Sequence, residues 1–199
     1  DLDQLPFPNI IGPLAYETIL AQMKSDVIAL APSLAPAFEV EGDPVNAVLQ
    51  AIAYRALIHE ARYNDVARAA YLSTATGADL DNLVAEYGVA RLMIEPANLD
   101  AVPPVPAVME SDDSLRERAM MGPEGYSVAG PAGAYVSFAR AASGQVLDAS
   151  CITPSPGRVL VTVLSRDDGG VPEQPLLDIV TAAVTDEDVR PLTDHVTVQ

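Results

Sequence analysis

Apolar residues near the start of the chain recur at helical spacing. In residues 12–30 they form one approximate stripe, made up of Leu14, Ile19, Leu20, Met23, Val27 and Leu30. This spacing predicts an amphipathic helix. Pro13 suits its first turn, and Pro32 and Pro36 end it.

A longer helix is predicted over residues 44–76. Asp43 can cap its first turn and Pro44 can occupy its first position. The sequence has no Gly or Pro from residue 45 to residue 76, so nothing local interrupts the pattern. At 1.5 Å per residue the helix would be about 50 Å long.

This helix is apolar on two sides, and residues 44–54 include no charged residue. The short preceding helix can cover only one side, and an apolar helix side needs a cover. Burial inside a larger monomer and a bundle shared with other chains both remain possible, and the scarcity of other helices favours the shared bundle. The candidate interface residues are Val45, Val48, Leu49, Ala51, Ile52 and Tyr54.

Residues 74–89, "TATGADLDNLVAEYGV", contain carboxylates that could suggest a metal site. Gly77 fits the left-handed residue that ends the long helix, Asp79 can cap the next helix, and Gly88 can end that one. A calcium loop needs more oxygen ligands at regular spacing. We therefore interpret these residues as helix start and stop signals, with Asp81 and Glu86 in or near solvent.

The second half of the chain differs in its composition and in its pattern of apolar residues. Residues 95–110 carry four prolines without a helical or strand period, which is typical of a semi-rigid extended connector. Beyond it, helical and alternating segments predict the order α-α-β-β-α-β. The predicted fold class is therefore α+β, with a helical region at 1–94, a connector at 95–110 and a small α+β domain at 111–199. Because the sequence stops on a predicted strand, it leaves open whether this domain is complete at its C-terminus.

Composition narrows the possible partners. The chain has 28 acidic and 11 basic residues among 199, a formal net charge of −17. Such a surface repels phosphate, so nucleic acid and anionic membranes are not expected partners. No apolar run is long enough to cross a membrane, and no signal peptide is recognisable.

None of the candidate catalytic, metal-binding or phosphate-binding motifs is complete. His59 begins "HEARY", which resembles a zinc-protease motif, but Tyr63 stands where the second histidine belongs. Cys151 and His195 lack the sequence context of a thiol nucleophile, and the Gly-rich segment 122–133 lacks the residues of a phosphate loop. We expect no catalytic, cofactor-binding or metal residues and no small-molecule substrate. The alternatives are a hydrolase-like domain using Cys151 or an aspartate, and a stand-alone helical adaptor.

Three segments, 41–92, 110–170 and 186–198, together resemble the baseplate J-like family of contractile phage tails and tail-like particles. The most distinctive elements are "ATGADLDNLVAEYGV", "GPEGYSVAGPAGAY" and "TPSPGRVLVTVLSR". The resemblance implies a structural subunit without catalysis. It would join a helical core bundle in each baseplate wedge and link wedges into a ring around the tail tube. The implied partners are other wedge subunits and further copies of the chain, in a virion tail assembled in the bacterial cytoplasm. Family members usually continue beyond the point where this sequence stops.

Overall fold

The computed structural model describes residues 5, 6, 10–126 and 130–199, without the side chain of Asp168. Residues 127–129 of the Gly-rich segment therefore lie outside the described residues. The chain forms two compact units, Asp1–Ala75 and Thr76–Gln199.

The first unit is helical. Helix α1 spans Tyr16–Leu30, a 3₁₀ segment spans Pro32–Glu39, and α2 spans Pro44–Ala69. The start of α2 is as predicted, because Asp43 caps the helix and accepts a hydrogen bond from the Val45 N–H at 2.8 Å.

The predicted C-terminal end of the long helix was wrong. Helix α2 ends at Ala69, after 26 residues, and is about 39 Å long. The Thr74 hydroxyl donates a 2.6 Å hydrogen bond to the carbonyl of Arg68, and the Ala75 N–H donates to the carbonyl of Tyr71 at 2.8 Å. These bonds satisfy carbonyls in a turn after the helix. Because the turn uses neither Gly nor Pro, the sequence pattern did not reveal it.

The core of the first unit lies between α1 and α2. Leu20, Phe38, Leu49 and Ala53 form its buried centre. Asn64, on the covered face of α2, binds the backbone of Gly12 twice, accepting from its N–H at 3.1 Å and donating to its carbonyl at 2.9 Å. This amide satisfies the backbone of a non-helical segment that lies along α2.

The second unit opens with α3, Gly77–Ala85. Gly77 does have the predicted positive φ of 53°, but it begins α3 and does not end α2, which has stopped eight residues earlier. The residue at the N-cap of α3 is Thr76, so Asp79 lies in the first turn and is not the cap. Gly88, with φ of 72°, follows α3 as predicted, and the Val89 N–H bonds back to the carbonyl of Val84 at 3.2 Å.

The Pro-rich segment is part of an antiparallel ribbon. Strand β1, Met93–Glu95, pairs with β2, Val108–Met109, and a further bridge joins Asn98 to Val105. The expectation of an extended segment without strands was therefore wrong at its two ends. The chain divides at residues 75 and 76, and 95–110 lies inside the second unit.

The remaining elements follow the predicted order α-α-β-β-α-β and confirm the α+β class. Their bounds are α4 Asp112–Met121, α5 Ala132–Ala142, β3 Val146–Ser155, β4 Arg158–Ser165, α6 Gln174–Thr185 and β5 His195–Val198. Strand β4 is central, antiparallel to β3 and parallel to β5.

Helices α5 and α6 cover one face of this sheet. The buried core there consists of Tyr135, Ala139, Val146, Val159, Val161, Val163, Leu176, Val180 and Val184. Strand β4 alternates buried and more exposed positions, as expected for a strand with one covered face. Ile152 and Leu164, which point to the other face, remain 57% and 43% exposed.

Candidate interaction surfaces and an internal charge network

The six predicted interface residues do not share one environment. Leu49 is 8% exposed and packs against α1, so its own unit covers it. The other five are exposed on α2: Val45, Val48, Ala51, Ile52 and Tyr54.

One line of these exposed residues continues along the helix. Val45, Val48, Ile52, Tyr63 and Val66 recur at helical spacing and are 37–69% exposed. We call this set the α2 apolar strip. The face of α2 that packs against α1 contains Leu49 and Ala53. It lies about a quarter turn around the helix from the α2 apolar strip, since 100° separates successive residues. The exposed His59 lies on the same line between Ile52 and Tyr63, so the strip consists of two apolar patches. Exposed apolar patches of this kind are typical of protein interfaces.

Concave surfaces lie at both ends of the α2 apolar strip. At one end, a groove of about 740 Å³ is lined by Tyr63 and Val66 together with Ile10, Pro13 and Tyr71. At the other end, Val45 and Val48 line a groove of about 370 Å³ with Val27 and Phe38. The helical pattern alone did not indicate either groove, because residues distant in sequence complete their walls.

Two carboxylates in the helices at the start of the second unit, those of Asp81 and Asp112, bind the side chain of Arg91. The Arg91 guanidinium bonds to Asp81 and Asp112, each at 2.7 Å, and donates to the carbonyl of Glu110 at 2.7 Å. The Asp112 carboxylate also accepts from the N–H of Gly77 at 3.0 Å. Asp81 was expected near solvent, and its side chain is indeed 44% exposed despite this pair.

Glu110 is the buried centre of the same network. Its side chain is 1% exposed and pairs with Arg118, whose side chain is 9% exposed. The Leu92 N–H donates to Glu110 at 2.9 Å, and the Ser114 hydroxyl donates to it at 3.0 Å. The carboxylate thus joins the β1–β2 ribbon to α4. This role was not predictable from the sequence, because Glu110 immediately precedes a helix start, where a carboxylate is usually exposed to solvent.

We expect this network to make the free energy of unfolding depend on pH. The hydrogen bond from the Gly77 N–H, followed by the contact with Arg91, lowers the pKa of Asp112. A lowered pKa means that the stabilisation is complete above the ordinary Asp pKa of about 3.9 and is lost as the pH falls below it. Asp112→Asn should therefore be less stable than the unaltered protein at pH 6, and the difference should shrink towards pH 3.

Urea unfolding from pH 6 to pH 3 would measure this effect. Asp113→Asn is the matched control, because that carboxylate is also in the first turn of α4 and is 92% exposed. A stability difference between Asp112→Asn and the unaltered protein that stays constant with pH would contradict the assignment.

The candidate catalytic pair is not assembled. Cys151 points towards the covered face of the sheet, whereas His195 precedes the inward Val196 on β5 and so points to the opposite face. Burial, with the nearby charge of Asp194, raises the pKa of Cys151, which disfavours the reactive thiolate. His59 is exposed on α2. In the described part of the chain, no three acidic, His or Cys side chains cluster as a metal site would require.

None of the helices in the described ranges is long and apolar enough to cross a membrane.

Two segments of the chain match domains of one family. Residues 41–98 match the Baseplate J-like N-terminal domain, and residues 127–199 match the Baseplate J-like central domain. The chain belongs to the baseplate J-like family. It is also 45% identical over 204 residues to Baseplate protein J of Escherichia phage P2, an alignment that covers all of this chain and 68% of that relative.

Proposed function

We propose that this chain is a structural subunit of the baseplate of a contractile phage tail or a related tail-like particle. Its match to Baseplate protein J of Escherichia phage P2 runs through both of its units, which supports a shared role for the whole chain. The two domain matches support the same role. Its place would be the tail of the virion, reached by assembly in the host cytoplasm.

The α2 apolar strip is the observation that supports a helical bundle with other subunits. Within the first unit α1 covers only one side of α2, and the strip with its two grooves remains exposed. Burying such a surface against other helices would stabilise an assembly through the hydrophobic effect. We infer that wedge subunits, further copies of this chain or both supply these helices, and that the second unit contributes contacts between wedges.

No observation favours the hydrolase alternative. The role proposed here is binding and support, without a substrate, cofactor or metal ion.

Ala51→Leu tests the bundle. Ala51 is exposed beside the α2 apolar strip, so the larger side chain has room in the free chain. If a partner helix approaches Ala51 closely, overpacking should weaken association by about 1–3 kcal/mol. Circular dichroism melts of the free chain and copurification with the other baseplate subunits would be measured together.

Ala78→Leu is the matched control, since Ala78 is an exposed alanine on α3 in the other unit. It should copurify normally. The shared-bundle proposal fails if Ala51→Leu destabilises the free chain while each folded molecule binds its partners as before.

A further inference from the structure

A pocket at one end of the sheet in the second unit combines apolar walls with carboxylates. It has a volume of about 300 Å³ and lies where β3 begins, β4 ends and α6 begins. Val171, Leu176 and Ile179 contribute apolar surface, and Asp167 and Glu173 contribute carboxylates. Val171 and Ile179 are 69% and 49% exposed, so the apolar wall is open to solvent.

The two carboxylates lack a cation from within the described part of the chain. The nearest arginine in sequence, Arg166, donates to the carbonyl of Gly144 and to the Ser114 hydroxyl, both at 2.9 Å. Gln145 also lines the pocket, and its side-chain N–H donates to the carbonyl of Ile94 at 2.9 Å. These two side chains are thus engaged with backbone and hydroxyl acceptors, and Asp167 and Glu173 remain without an ion pair in the described part of the chain.

Charge decides what kind of group would enter. Residues 76–199 contain 19 acidic residues, seven arginines and no lysine, a formal net charge of −12. Most of these arginines are engaged inside the unit, and Arg91, Arg118 and Arg140 pair with carboxylates there. The remaining surface is strongly negative, which opposes docking of a second copy of this unit and favours a basic group on a different protein.

We propose that this pocket receives an arginine side chain from another protein. The methylene groups of arginine suit the wall formed by Val171 and Ile179, and the guanidinium suits the carboxylates of Asp167 and Glu173. Arginine fits better than lysine because its guanidinium has five donors and is more weakly hydrated. That the protein is another baseplate subunit rests on the proposed function, whereas the preference of the pocket for a guanidinium does not.

The test uses N-acetyl-arginine amide as the probe, titrated into the full isotope-labelled chain and followed by NMR. N-acetyl-citrulline amide, which has nearly the same shape and no charge, is the control ligand. The arginine probe should shift the amide signals of Gln145, Asp167, Val171 and Ile179, and the citrulline probe should not. Equal shifts with both ligands, or shifts spread over the acidic surface, would overturn the proposal.

The variant Asp167→Asn/Glu173→Gln should bind the arginine probe about fivefold more weakly, because it removes two exposed charge pairs that each make a small contribution. Asp186→Asn/Glu187→Gln removes the same charge from exposed positions elsewhere in the unit and should bind like the unaltered protein. Equal weakening in both variants would show general attraction to the acidic surface and would refute a specific pocket. The NMR spectrum itself reports whether each variant is folded, and Glu173→Gln alone replaces the double variant if that one is not.

The two proposals fail separately. If the arginine probe does not bind the pocket, the guanidinium proposal fails, and copurification with baseplate subunits still tests the proposed function. Failed copurification together with a positive probe titration would instead refute the baseplate role and retain the guanidinium pocket.

Discussion

Glu110→Gln should lower the free energy of unfolding by about 3–5 kcal/mol, because it removes one partner of a buried ion pair and leaves the other charge buried. Both side chains of the pair with Arg118 are at least nine-tenths buried. The loss should be larger than for an exposed pair because water cannot replace the missing carboxylate. Urea unfolding monitored by circular dichroism at pH 7 would measure it.

Two variants separate this effect from a general loss of charge. Asp113→Asn breaks the pair with Arg116, in which Asp113 is 92% exposed, and should cost at most about 1 kcal/mol. Glu110→Gln/Arg118→Met removes the unpaired cation as well and should recover part of the lost stability. If Glu110→Gln is no more destabilising than Asp113→Asn, the buried pair does not hold the ribbon on α4.

The second large effect distinguishes the two environments on α2. Leu49→Asp places a charge in the α1–α2 core, where Leu49 is 8% exposed, and should cost several kcal/mol of the stability of the free chain. Ile52→Asp is the same kind of change three residues later, at a position that is 50% exposed in the α2 apolar strip. The free Ile52→Asp chain should remain folded, because its carboxylate stays in water.

In the assembled baseplate, by contrast, Ile52→Asp should be strongly unfavourable. If partner helices cover the α2 apolar strip, the introduced carboxylate loses its water and copurification with baseplate subunits should be largely lost. Ala78→Asp, on the exposed surface of α3, is the control for added negative charge. Normal copurification of the Ile52→Asp chain would show that the strip is not the partner surface, whatever the behaviour of Leu49→Asp.

Local chemistry was sufficient to predict most of the elements. The start of α2 depends on Asp43 and Pro44, and the end of α3 depends on Gly88. Ser111 similarly caps α4, accepting from the Ser114 N–H at 3.2 Å. These signals act within one helical turn, so the sequence contains all the groups involved. The alternation of β4 likewise predicted a strand, because the side-chain direction in a strand repeats every two residues.

Side-chain packing decided what lay beyond the reach of local signals. Periodicity identified α2 as apolar on more than one side, but only the position of α1 determined that Leu49 is covered and Ile52 is exposed.

The same distinction explains the charged residues. In the sequence, Asp81, Glu110 and Asp112 are carboxylates near helix starts, and their local context suggests solvent. The tertiary structure brings Arg91 to Asp81 and Asp112 from a different segment, and it places Arg118 of α4 against Glu110. Together these pairs form a network that joins α3, α4 and the β1–β2 ribbon. The sequence by itself determined where most elements begin, the α+β class and the family, whereas tertiary contacts decided which apolar surfaces and charges are left for partners. The physical reason is range: capping and periodicity act between neighbours in sequence, whereas burial and ion pairing depend on which distant segments meet.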